Sequence, residues 1–241
     1  MPLVFSPITE AVLESAPKRL LPRQAFLMRQ LGRPPEIDAR MYRLVTQVLK
    51  SRGFASVDAG GSTGGKDFLE RIVGLIRATG YVVAIFSHET RPTAIANIML
   101  EVGFALMCGK PLIIVKSEQA EAPSDITRTD WIVYNPQREE EFKKKVGQAI
   151  DDIESLAEYE ATLLSVALHA RSMDCAIAFE RVNKSFLLSG ESRFIEAAKT
   201  ILERLNKISA DSEISDIERL RSEVEAFILQ AQRASLGKAT L

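Results

Sequence analysis

Glu101 is the residue of this 241-residue chain whose type and setting best suit chemistry. It stands within Asn97-Ile-Met-Leu-Glu101-Val-Gly103-Phe-Ala105, between two apolar runs, Tyr81 to Phe86 and Pro111 to Val115. A helix packed between two buried strands has no packing reason to carry a carboxylate at its centre, because a charge taken out of water is costly unless it is paired. Asn97 lies four residues earlier, so amide and acid share one helix face. Such a face at the rim of a sheet can hold a small ligand and attack it. Gly103 would let the helix approach a strand or a ligand closely. The structural alternative for Glu101 is an ion pair with Arg29 or Lys116.

Three other groups of residues carry weaker signals. Gly60-Gly61-Ser62-Thr-Gly-Gly65-Lys66 matches the GxxxxGK part of a phosphate-binding loop, follows a strand and opens a helix. Asp67 stands where that motif needs a Ser or Thr to ligate magnesium, and a carboxylate there repels a triphosphate. A loop that closes over a ligand, or a plain surface loop, are the competing readings. Arg29 and Arg33 flank Gly32 after the first strand, where basic side chains would meet a phosphate or carboxylate, or simply be solvated. His88 and Glu89 directly follow the third strand. His169 receives no role.

These residues need elements to position them. Residues 1–22 are peripheral, with Pro2, Pro7, Pro17 and Pro22 leaving room for one short helix at 8–15. Residues 24–28 then read as a strand, 36–52 as a helix closed by Gly53, and 54–57 as a second strand. A helix at 66–79, a strand at 81–86, a helix at 95–108, a strand at 112–115 and a short edge strand at 131–134 follow. Near-continuous apolar runs mark strands buried on both faces, and strand–helix–strand order demands parallel pairing. The expected fold class is α/β: a doubly wound, flavodoxin-like parallel sheet over 23–136, followed by an all-helical region over 137–241. In such sheets ligands bind at the carboxyl ends of the strands. Loops 29–35, 58–66 and 87–93 gather there.

From Gln137 the pattern is helical only: one stretch through Tyr159, a second from Val166 to Leu188, a break at Gly190, then 193–208 and 215–233. In the last, Ile217, Leu220, Val224, Phe227 and Ala231 fall at three-four spacing, as a seam facing either the helix's own domain or a partner. Composition excludes several classes. With 46% hydrophobic and 26% charged residues the chain is an ordinary globular one. A net charge of −1 gives no footprint for nucleic acid or a membrane surface, although the part up to Asn135 is net +3 and the remainder net −4. Two cysteines, Cys108 and Cys175, with no CxxC or His-Cys cluster, argue against zinc and against a disulfide framework. With no membrane-length apolar run and no signal-peptide pattern, a cytoplasmic location is expected.

The pattern Phe26-Leu-Met28, Val82 to Phe86, Asn97-xxx-Glu101-x-Gly103-x-Ala105, Gly109-Lys110-Pro111, then Pro123, Asp125 and Tyr134 resembles the nucleoside 2-deoxyribosyltransferase-like group and the related TIR-like nucleotide-binding domains. It covers roughly residues 23–135. The resemblance implies N-glycosidic bond chemistry with no cofactor, a nucleotide, nucleoside or NAD being the substrate. Glu101 would be the nucleophile or carbocation stabiliser, and Asn97 would orient it or a ribose hydroxyl. The transition state is oxocarbenium-like, and a buried carboxylate stabilises or traps that charge. The deoxyribosyltransferase branch carries an aspartate near the end of the third strand, where this chain has Ile85-Phe86-Ser87. Ser87 and His88 are the polar residues there. With Arg29 and the Gly60–Lys66 loop they would line the site. The helical region would assemble or regulate it, through a second copy or another protein, as in signalling or defence effectors. A non-catalytic nucleotide sensor and a protein-interaction module are the alternatives.

Overall fold

The computed structural model of the chain describes residues 17, 19–61, 68–121, 131–169, 174–209 and 215–236. The short helix expected at 8–15, Ser62, Lys66, Asp67, Pro123 and Asp125 lie outside them. Five strands, β1 (Leu21–Met28), β2 (Ala55–Val57), β3 (Thr79–Phe86), β4 (Leu112–Ser117) and β5 (Trp131–Tyr134), form one parallel sheet in the order β2-β1-β3-β4-β5. That is the expected doubly wound architecture, with its switch point between β1 and β3. All eight residues of the central β3 are buried, which accounts for its unbroken apolar run.

Alternate residues of each strand serve opposite faces. One face presents Phe26, Met28, Val82, Ala84, Phe86 and Ile114 to α2 (Phe68–Ala78) and α3 (Pro92–Met107). On α3 the inward residues are Ile98, Val102 and Ala105. The first half of α4 (Glu139–His169) packs Phe142 edge-on against Tyr134, with ring centroids 5.1 Å apart. It is tied to α1 (Glu36–Ser51) by ion pairs Arg40–Glu139 and Arg52–Asp151. Gly147 lets the Arg52 guanidinium lie against the α4 backbone, since a Cβ there would meet its Nη2 at 2.5 Å. Arg23 caps the end of α1, donating from Nη2 to the Arg52 carbonyl (2.7 Å) and from Nε to that of Gly53 (3.2 Å). Gly53 adopts the left-handed conformation (φ 71°) expected of a helix-ending glycine. Lys110 does the same for α2, donating to the carbonyls of Arg77 and Thr79, so β3 begins at Thr79 without an intervening turn.

The chain divides into two compact units: residues 23–153, and residues 1–22 with 154–241. In the second unit the core joins α5 (Cys175–Ser189), α6 (Arg193–Ser209) and α7 (Ser215–Leu236), with Leu164 of α4. Asp174 caps α5 by accepting from the amides of Ala176 and Ile177, and Gly190 closes it at φ 71°. One sequence expectation is corrected here. The break expected after Tyr159 is absent and α4 runs on to His169, because no glycine or proline interrupts residues 148–169. The α7 seam faces the helix's own domain, one of the two readings that its spacing left open. Val224, Phe227 and Ala231 are buried in the unit's own core and Ile217 and Leu220 pack on it, with Phe227 edge-on to Phe179 and Phe186.

Phe227→Ala should therefore cost about 3–5 kcal/mol in chemical denaturation, as a buried aromatic does. Leu229→Ala, at a side chain 50% exposed, should fall within about 0.5 kcal/mol of wild type.

Candidate functional site

Parallel register aligns the carboxyl ends of the strands, so the residues just beyond them meet in a row. Beyond β1 and β2, Arg29 places Nε and Nη2 on Asp58 Oδ2 at 3.0 and 2.7 Å and stacks over the Tyr42 ring at 4.2 Å. The other oxygen of Asp58 accepts the Gly60 amide at 3.0 Å, and Gly61 ends that short 3-10 turn. Arg29 is thus spent on an internal pair. Buried Gln30 donates from Nε2 to the Arg33 carbonyl (2.9 Å) and accepts the Arg91 amide at Oε1 (3.0 Å), joining the loops that follow β1 and β3. Arg33 itself is exposed, with a left-handed φ of 46°.

A second lock sits beside it. Thr90 donates its hydroxyl to Oδ2 of buried Asp38, on the first turn of α1, at 2.7 Å. The same hydroxyl accepts the Ser87 amide at 2.7 Å, and Ser87 Oγ accepts the Glu89 amide at 3.1 Å. Ser87 is fully buried. His88 follows the register of β3 on β4: its amide donates to Ser117 Oγ and its Nδ1 lies 3.1 Å from the same atom. Its ring is half exposed, with Nε2 3.8 Å from Glu89 Oε1. The rim therefore brings together Arg29, Gly60, Ser87 and His88, each already engaged within the protein.

Glu101 lies elsewhere. It comes nine residues after Pro92 on a helix running back from the rim, roughly 14 Å down the axis. It is half-buried and, among the described residues, makes no hydrogen bond or ion pair. The expected structural alternative is not realised: Arg29 pairs with Asp58, and Lys116 donates to the Ala120 carbonyl at 2.6 Å. Desolvation without a compensating partner pushes the Glu101 carboxyl up to about 7. Asn97 is exposed and does not bond to Glu101. At Gly103 the described residues realise no close strand approach. Two residues along a helix turn it about 200°, so Gly103 points nearly opposite to Glu101. A Cβ built on it meets nothing within 4 Å, so no strand approaches there.

Asp38, Gln30, Thr90, Ser117 and Asp58 complete the rim and were not singled out by sequence. Asp38 carries a readable signal: it precedes Met41 and Val45 by three and seven residues, a carboxylate on the buried stripe of α1. Its Oδ1 is buried with no hydrogen-bond partner. Among the described residues no cluster of His, Cys, Asp and Glu could hold a metal ion, and no helix is long and apolar enough to cross a membrane. Compared with protein-family models and with curated proteins, the chain matches none.

Two stability measurements follow. Thr90→Val leaves the Asp38 carboxylate and the Ser87 amide unanswered and should cost about 1–3 kcal/mol. Glu101 titrates from 4.5 in the unfolded chain to about 7 in the folded one, so the folded state holds that proton more tightly. The contribution of Glu101 to stability is then full below pH 4.5 and is lost as pH rises through 7. Glu101→Gln should flatten that decline and gain on the order of 2 kcal/mol over wild type at pH 8. Parallel stability–pH curves for the two proteins would contradict the desolvation.

Proposed function

We propose that the α/β unit cleaves the N-glycosidic bond of a nucleoside, nucleotide or NAD, with Glu101 the carboxylate that faces the sugar. One observation carries the reading: Glu101, the one charged residue of α3, is desolvated, and among the described residues no protein group answers its charge. A site that stabilises a transient cation needs such a group, held out of water and left unneutralised by its own protein. The resemblance of Asn97-xxx-Glu101-x-Gly103-x-Ala105 to the deoxyribosyltransferase-like and TIR-like domains supports the same chemistry.

In this reading the bond from C1′ to the base nitrogen breaks and its electrons leave with the base. Ionised Glu101 stabilises the oxocarbenium ion or bonds to C1′. Water then adds its oxygen to C1′ and releases a proton. Asn97, free of the carboxylate, is available to a ribose hydroxyl. Ser87 and His88 sit at the rim, a helix turn and more from Glu101, so neither stands beside it as an acid for the leaving base. That favours substrates whose base leaves without being protonated. NAD is one, since its cationic nicotinamide departs as the neutral base.

A second reading, a non-catalytic nucleotide-binding sensor, is favoured by Ile85-Phe86-Ser87 at the end of β3, where the deoxyribosyltransferase branch carries an aspartate. Released base, measured for nucleosides, nucleotides and NAD, separates the two. Wild type should release base at a rate rising with pH through about 7 as Glu101 ionises. Glu101→Gln should lose on the order of 100-fold or more. Nucleotide binding by wild type without base release would replace the hydrolase with the sensor.

A further inference from the structure

Helices α1 and α4 carry two ion pairs across their interface, Arg40–Glu139 and Arg52–Asp151, and both join residues 99 apart in the chain. The same offset at positions 40 and 52 means that the two helices run parallel and in register for roughly 18 Å. Between them lies an open groove of about 520 Å³, a size ordinary for a small-molecule site. Val48 is the one apolar residue lining it. The register orders the rest along its length. Lys143 and Lys144, with Glu140 a turn earlier, stand at one end. Gln47 and Gln148 come next, and Ser51 and Arg52 close the other end.

We infer that this groove binds a sugar phosphate, with the phosphate on Lys143 and Lys144 and the sugar hydroxyls on Gln47, Gln148 and Ser51. Three lining cations face one lining carboxylate. Arg52 is held by Asp151 and Lys143 by Glu140. Lys144 makes no hydrogen bond or ion pair among the described residues. The Lys143–Glu140 pair lies on one helix with Glu140 87% exposed, and such a surface pair is weak enough for a phosphate to displace. Two adjacent ammonium groups then meet one phosphate. Side-chain amides donate and accept at once, as sugar hydroxyls do. Ser51 donates its proton to the Val48 carbonyl at 2.7 Å and is left as an acceptor. The walls are set before a ligand arrives, by the two ion pairs and by Gly147, against which the Arg52 guanidinium lies. Trp131 packs on the face of the sheet that carries α3, and Tyr134 meets Phe142 of α4 on the other. The groove is therefore separate from Glu101 and stands without the proposed glycosidase.

NMR titration of the isotope-labelled full chain with glucose 6-phosphate, inorganic phosphate and glucose tests this. Glucose 6-phosphate should bind most tightly and shift the amides of residues 143–148. Lys144→Glu should weaken it at least tenfold, and Glu140→Gln, which releases Lys143, should tighten it. Both side chains are exposed, so both variants should keep the wild-type thermal midpoint. Glu101→Gln should bind as wild type does. No shift in the groove at roughly 10 mM glucose 6-phosphate overturns the inference. So does binding that Lys144→Glu leaves intact. Equal affinity for phosphate and glucose 6-phosphate overturns it too, since that is an adventitious ion only.

Discussion

The hydrogen bond from Thr90 to the buried Asp38 carboxylate is the contact on which the geometry of the α/β unit turns. It joins the first turn of α1 to the loop between β3 and α3, across the switch point of the sheet. With the Gln30 bridge between the Arg33 carbonyl and the Arg91 amide, it fixes where the chain leaves the central strand and turns into α3. What α3 presents depends on that departure: its inward face on the sheet and Glu101 on its flank. Both connections are buried and polar, so loosening either leaves donors or acceptors without water or partner.

Asp38 on α1 and Glu101 on α3 are carboxylates taken wholly or partly out of water, and their surroundings give them different consequences. Asp38 has a hydroxyl on one oxygen and joins two elements. Glu101 has no partner among the described residues, and its carboxyl rises to about 7. Burial costs a carboxylate in both cases, and only in the first does a protein group offset it. An ionisable group held unpaired near neutrality is suited to chemistry on a developing cation, which is why the proposed function rests on Glu101 rather than on the rim.

The doubly wound sheet is legible in the sequence because β3 and β4 carry apolar runs without alternation, and α1 shows clear periodicity and an end signal, Gly53. Glu101 is legible for the same reason: a charge inside such a run contradicts its neighbours. Asp38 gives the same signal more faintly, and Thr90, its partner, lies 52 residues away, a separation that no local pattern reveals. Arg29 and Ser87 read as ligand groups at the correct edge of the sheet. Their commitment to Asp58, Thr90 and Glu89 is set by tertiary packing and has no local signature. Gly103 misleads because proximity in sequence is not proximity on a helix. The α7 spacing fits a partner seam and a domain core equally well, and only the burial of Val224 and Phe227 decides between them.

We propose that the partner Glu101 lacks among the described residues is a nucleotide-derived sugar. It is tested most directly by following the Glu101 carboxyl carbon by NMR through a pH titration, with and without NAD. The account predicts a midpoint near 7 in the free protein that moves when NAD is present. A midpoint near the ordinary carboxylate value, unchanged by NAD, would contradict it.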